Sequence, residues 1–281
     1  MQEKWADLHI HTNKSDGMHS VEEIFEKAKQ VNLSAISITD HDTVAAIKKA
    51  KELATVFGIE FIPGVELSSM YDGKEVHIVG LFINWEDKEF VKNLNYFQKK
   101  RVERAMHIIN KLKENKLDIK FEELYEMTEN MNNIGRLHIA RLLVKKGYVK
   151  SIRFAFEKFL SEGRPAYVEK AKLSVKEAIN IVKKANGLAI LAHPGDIDRD
   201  DMIKVWKEQG LDGIEVFHPD HSNEDSMRYM DYAKKYELLI SGGSDFHGEI
   251  KEYALIGKIK LPFVYFENMK NKILANNTKR G

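Results

Sequence analysis

Apolar runs of strand length recur along the chain, and four of them end in histidine, three of these with a carboxylate: Asp7-Leu8-His9-Ile10-His11, Asp40-His41-Asp42, Ala192-His193-Pro194-Gly195 and Ser244-Asp245-Phe246-His247. Strand-length runs are expected at Trp5–Ile10, Ala35–Thr39, Glu60–Val65, Val76–Ile83, Leu188–Ala192, Gly213–Phe217 and Leu238–Ser241, with amphipathic helices between them. Ser20-Val21-Glu22-Glu23 reads as a capping box opening a helix whose Ile24, Ala28 and Val31 share a face, and Ser174-Val175-Lys176-Glu177 as a second box. Strand followed by helix, repeated, predicts parallel strands in a barrel or open sheet with chemistry at their carboxyl ends. The histidines and carboxylates fall at those ends.

From Phe97 to Arg164 the alternation stops. Arg101–Lys113 and Ile139–Lys146 read as helices with no strand between them, which predicts a helical insertion on the rim. Charge divides along the same line. Residues 98–165 hold 16 Lys/Arg against 9 Asp/Glu, leaving the rest of the chain with 28 against 34. An acidic scaffold suits bound cations, and a basic segment suits an anionic substrate. Phe154, Phe156 and Tyr148 of this segment fit helical core spacing better than a stacking track for long nucleic acid. The tail from Phe266 reads as a helix that frays at Lys279-Arg280-Gly281.

At 281 residues the chain can bury one substantial core and carry such an insertion. It has no Cys, so metal ligands must be N or O donors. Neither a signal-peptide pattern nor an apolar stretch of membrane-spanning length is visible, so a cytoplasmic protein without a membrane partner is expected.

His9 and His11, spaced i, i+2 on a strand, project to one side and can share an ion, and Asp245 and His247 repeat that spacing. Asp16 lies in a Ser-Asp-Gly turn, where a simple turn aspartate is the alternative. His41 follows a buried run, with Asp42 or Thr43 expected to cap a helix over Thr43–Phe57. Glu66 leaves another strand and can bridge two cations, while His77 lies inside a strand and His193 ends one. His19 and His107 read as surface residues.

Together these segments resemble the PHP (polymerase and histidinol phosphatase) family of metal-dependent phosphoesterases, over nearly the whole chain through His247. The resemblance implies a distorted seven-stranded β/α barrel, residues 1–96 and 166–281, with residues 97–165 as a helical insertion that forms a substrate-binding lid or cap. It also implies three divalent ions, Mn²⁺ first among them with Fe²⁺ and Zn²⁺ as alternatives. One ion would take His9, His11, Glu66 and Asp245. Glu66 would bridge to a second with His77 and His193, and a third would take Asp16, His41 and His247. Asp16, the run Gly213–Ser222, the stretch Ile134–Arg141 and Gly163–Tyr167 are similar to one subgroup in particular, the nucleoside 3′,5′-bisphosphate phosphatases and related 5′→3′ oligoribonucleases. The chain departs from it at Phe217-His218, where a Tyr pair is more usual.

Two cations about 3.5–4 Å apart can hold a hydroxide for in-line attack and bind phosphate oxygens. Arg136, His138 and Arg164, with His218, are the expected substrate contacts, because a guanidinium can grip phosphate through two donors. Arg136 is expected to stabilise transition-state charge, and His221 either to protonate the leaving oxygen or to cap the helix starting near Ser222. The expected substrate is a nucleoside 3′,5′-bisphosphate or short oligoribonucleotide, not long DNA. Alternatives are another small phosphate ester such as histidinol phosphate, or a metal-binding scaffold without turnover.

Overall fold

The computed structural model describes residues 3–128, 131, 134–169, 173–248 and 254–278. The Lys279–Gly281 tail lies outside them. Strands and helices alternate as β1 (Trp5–Ile10), α1 (Val21–Gln30), β2 (Ala35–Ile38), α2 (Ile47–Phe57), β3 (Glu60–Tyr71), β4 (Lys74–Leu81) and α3 (Lys88–Glu114). Then come α4 (Arg136–Lys145), α5 (Ile152–Ala155), α6 (Val175–Lys184), β5 (Leu188–Leu191), α7 (Ile203–Glu208), β6 (Gly213–Phe217), α8 (Asn223–Lys235), β7 (Leu239–Gly242), β8 (Leu261–Pro262) and α9 (Phe263–Thr278).

The strands form one nearly closed, barrel-like sheet in the order β7-β6-β5-β4-β3-β2-β1-β8. Among the described residues it has eight strands, one more than expected, because the two-residue β8 adds an antiparallel edge to β1. On the open side the segment after β7 meets β1. Asp245 N–H donates to His9 O at 2.9 Å, and His11 N–H donates to Phe246 O at 3.0 Å. Gly243 makes this closure possible, since a Cβ there would lie 2.4 Å from the His9 backbone nitrogen.

The expectation of uniformly parallel strands fails at β4, which runs antiparallel to both β3 and β5. The reason is local. Asp72-Gly73, both at positive φ, turns the chain in two residues, and a parallel partner would need a crossover of a dozen or more. β4 therefore brings its start, with His77, to the rim where its neighbours bring their ends. The same turn extends β3 and β4 into a hairpin arm that stands above the barrel.

Ile62, Val79, Leu81, Leu188 and Ile190 pack inside the barrel with Phe266 and Met269 of α9 against them. α6, α7 and α8 cover one outer face, and α1 with α2 another. Both capping boxes form, at Ser20 and Ser174. α2 starts four residues later than expected, without a side-chain cap, because Asp42 accepts a hydrogen bond from Arg101 Nε at 2.6 Å instead of capping the helix. α9 begins at Phe263, three residues before the expected start. The first half of α3 (Phe90, Leu94) packs on the barrel. Its second half (Ala105, Ile108, Ile109, Leu112) joins α4 and Phe159 in a separate apolar cluster. No helix among the described residues is long and apolar enough to cross a membrane.

Candidate metal centre

Glu66 ends the barrel portion of β3, on the same face as Ile62 and Gly64, so its side chain enters the mouth where the interior packing stops. Five imidazoles meet its two oxygens. Oε1 lies 2.8 Å from His77 Nδ1 and 3.2 Å from His193 Nε2. Oε2 lies 3.2 Å from His11 Nε2 and 3.1 Å from His41 Nδ1, with His9 Nε2 at 3.4 Å. Asp245 Oδ1 closes the His9–His11 group at 3.4 and 3.3 Å. Across His11, Asp16 lies 3.3 Å from His247 Nε2 and 3.8 Å from His41 Nε2. The structure thus brings all nine expected ligands into one cluster. His193 and Asp245 sit at φ +25° and +48°, where side-chain-bearing residues are rare and strain is tolerated for function.

Whether these residues suit divalent ions is decided by their donors. Among the described residues, three sets of His and carboxylate atoms each lie within 4.8 Å of one another: His9, His11, Glu66 and Asp245; His11, Asp16, His41 and His247; and His41, Glu66 and His77. His9 Nε2 and His11 Nε2 approach to 3.1 Å, and His77 Nδ1 and His193 Nε2 to 3.2 Å, so lone pairs converge on shared points. Among the described residues, buried Glu66 Oε2, Asp16 Oδ1 and His41 Nδ1 make no well-aligned hydrogen bond despite their close imidazole and carboxylate neighbours. The set fits hard or borderline cations.

Electrostatics follow from burial. Burial alone would raise Glu66, but His41, His77 and His9 outweigh it and hold the carboxyl well below its ordinary range. Burial opposes a proton on His11, yet Asp245 and Glu66 push it up to about 10. On His41 burial wins, and that ring is held well below its ordinary value.

A further layer fixes the ligands. His9 Nδ1 lies 2.9 Å from Glu215 Oε1, and the other oxygen of Glu215 accepts the His193 backbone N–H at 2.8 Å. One carboxylate thereby sets the His9 tautomer and anchors the neighbouring loop. Asp40 accepts from Thr12 N–H at 2.8 Å, and from the hydroxyls of Thr12 and Ser15, so it ties down the Asp16 loop rather than facing the ions. Sequence reasoning missed Glu215, although a carboxylate inside the apolar run Gly213–Phe217 was a usable signal. Glu215→Gln is expected to weaken metal binding about 10–100-fold. Titrating Mn²⁺ into the stripped variant checks this, and an unchanged affinity would reject the assignment.

The cluster floors a cleft of about 730 Å³. Its walls are the hairpin arm (Met70, Lys74, Glu75), Arg104 of α3, Arg136 of α4, and Phe156 and Tyr167. Phe156 and Tyr148 pack, partly buried, against the apolar cluster of α3 and α4 as expected, with Arg136 5.6 Å over the Phe156 ring, whereas Phe154 is exposed. Arg104 was not anticipated. Burial and the neighbouring Arg136 lower its guanidinium to about 10.

Other expected contacts fall elsewhere. His138 is buried and accepts the Gly135 N–H at 3.0 Å, and burial lowers it to about 4, so it caps its own helix. Arg164 is exposed in a turn outside the cleft wall. His218 is buried with Nε2 3.8 Å from Asp245 Oδ2. His221 pairs Nδ1 with Val216 O at 3.0 Å and accepts the Gly195 N–H on Nε2 at 3.3 Å. Both ring nitrogens of His221 are thus engaged with the backbone, and Ser222 rather than His221 caps α8. His107 is exposed as expected, but His19 is partly buried and stacks on Phe246 at 5.3 Å.

A family model for the PHP domain matches residues 7–190. The chain belongs to the PHP domain family. A 3′,5′-nucleoside bisphosphate phosphatase from Chromobacterium violaceum is 33% identical, with 86% of each chain covered. A phosphoribosyl 1,2-cyclic phosphate 1,2-diphosphodiesterase from Eggerthella lenta is 30% identical, covering 89% of this chain and 97% of that one. The 5′-3′ exoribonuclease Rnm of Escherichia coli is 31% identical over 91% of this chain and 89% of its own. Among solved structures, a protein from Bifidobacterium adolescentis described as a metal-dependent phosphoesterase superposes with a TM-score of 0.88 at 27% identity, covering 95% of both chains. This PHP protein is accordingly a metal-dependent phosphoester hydrolase.

Proposed function

We propose that the protein removes the 3′-phosphate from nucleoside 3′,5′-bisphosphates and also releases 5′ mononucleotides from short RNA, using three divalent ions, Mn²⁺ first among them. The observation that carries this reading is a cleft with two anion-seeking poles. His and carboxylate donors form the floor, and Arg104 and Arg136 stand in the wall above them. A single phosphate needs only the floor, whereas a substrate with a second phosphate can use both. The relatives named as bisphosphate phosphatase and exoribonuclease support the same substrate class. A cleft of this volume suits a nucleotide-sized ligand.

Divalent ions held on the floor would supply a hydroxide near neutral pH and counter-charge for the phosphate oxygens. The chain's own groups do the rest. Glu215 and Glu75 orient His9 and His77, and Asp40 anchors the loop that carries Asp16. Arg136 and Arg104 bind the second phosphate and stabilise transition-state charge, as planar guanidinium groups do with paired donors. Residues 97–165 serve as the substrate-binding cap.

The test compares adenosine 3′,5′-bisphosphate with 5′-AMP, histidinol phosphate, a short 5′-phosphorylated RNA and phosphoribosyl 1,2-cyclic phosphate. Phosphate release from the bisphosphate is expected to be fastest. Equal rates on all would remove the case for a second-phosphate pocket, and no turnover of any would leave a binding scaffold. Arg136→Ala is expected to raise KM for the bisphosphate about 10–100-fold, the value of one or two charge-assisted hydrogen bonds, with 5′-AMP little affected. A second reading is cleavage of a cyclic ribose phosphate, favoured by the near end-to-end match to the Eggerthella diphosphodiesterase. Fastest turnover of the cyclic substrate would select it.

A further inference from the structure

Glu75 stands where the metal floor meets the basic wall. It lies on β4 two residues before His77, on the same face of the strand. Its Oε1 is 2.7 Å from His77 Nε2, and its Oε2 accepts from Arg136 Nη2 at 3.1 Å. The first contact places the imidazole proton on Nε2. The Nδ1 lone pair would then be available to an ion shared with Glu66 Oε1, 2.8 Å from Nδ1, and His193 Nε2, at 3.2 Å. The second contact reaches across to α4 and offsets part of the charge that a phosphate would seek. An anionic group arriving at Arg136 must share that guanidinium with Glu75 or take it.

We propose that Glu75 is a positioning residue that fixes His77 for metal binding and holds Arg136 until a substrate phosphate displaces it. The second half rests on the reading above, that Arg136 receives the second phosphate. Binding of that phosphate releases the Arg136 contact and leaves the His77 contact in place, so the wall and the floor are linked through one carboxylate.

Glu75→Gln keeps the side-chain size and removes the charge, and Glu75 is partly exposed, so the variant should fold. Its Mn²⁺ affinity, titrated calorimetrically without substrate, is expected to fall about 10–100-fold for one ion. KM for adenosine 3′,5′-bisphosphate is expected to fall severalfold because the competing carboxylate is gone, while kcat also falls. A residue that merely supported the fold would lower the active fraction without a drop in KM. In an Arg136→Ala background the KM shift should vanish and the Mn²⁺ effect persist. Mn²⁺ affinity within twofold of the unaltered protein overturns the role at His77, and a KM shift that survives without Arg136 overturns the role at the wall. If Arg136→Ala alone leaves KM for the bisphosphate unchanged, it is the substrate reading that fails, and the Mn²⁺ titration still decides the role at His77.

Discussion

Glu66→Gln is expected to reduce turnover by on the order of 10³-fold or more and to lose at least one bound ion. Among the described residues, Glu66 is the carboxylate that touches both halves of the floor, His77 and His193 through Oε1, and His9, His11 and His41 through Oε2. Cations brought close together repel, and a shared carboxylate offsets that repulsion. A neutral amide keeps the shape and gives up the charge. Loss of several kcal/mol of charge stabilisation at the reacting phosphate corresponds to about 10³ in rate. Metal content by elemental analysis and kcat under saturating Mn²⁺ check this together. Full metal content with rates within tenfold of the unaltered protein would refute the bridging role.

Stripping the protein with a chelator is expected to abolish activity and lower the melting temperature, by an amount that grows with pH. An ion present at 100 times its Kd adds about 2.7 kcal/mol to the folded state. For a chain of this size that is about 5–10 °C per ion. The pH dependence comes from His11. In the stripped protein its pKa is raised to about 10 by Asp245 and Glu66 against the opposing effect of burial. A raised histidine stabilises the fold fully below its unfolded value near 6.5, and that stabilisation is lost as pH climbs through about 10. Metal binding needs the same nitrogen deprotonated, so ion affinity should rise across that window and each binding event should release protons. Melting scans with and without Mn²⁺ at pH 6.5 and 8.5, and calorimetry in buffers of different ionisation heat, measure both. A gap that stays constant or narrows at the higher pH would contradict the assignment.

Much of this site could be read from the chain because buried strands advertise themselves as short apolar runs, and polar residues that end such runs have few destinations besides the sheet rim. His9, His11, His41, His193 and Asp245 were visible for that reason. The direction of β4 was not deduced, although Asp72-Gly73 carried the hairpin signal. The late start of α2 was hidden because the Asp42 carboxylate is claimed by Arg101, a residue 59 positions away. His138 and Arg164 are alike in type to Arg104 and Arg136 as candidate phosphate contacts, and only the structure shows that Arg104 and Arg136 line the cleft while His138 is buried and Arg164 lies outside its wall. Glu75 resembles any solvent-facing strand carboxylate, and nothing local reveals that both of its oxygens are committed.

α3 begins on the barrel and ends in the insertion's own apolar cluster. On the proposed reading, reaction and selectivity would be anchored on different cores joined by this one helix. Exchanging the distal half of that helix and the segment beyond it between relatives should transfer ligand preference while leaving the hydrolytic machinery intact. Such modular inheritance offers a physical route by which one scaffold came to serve phosphatases, diphosphodiesterases and exoribonucleases.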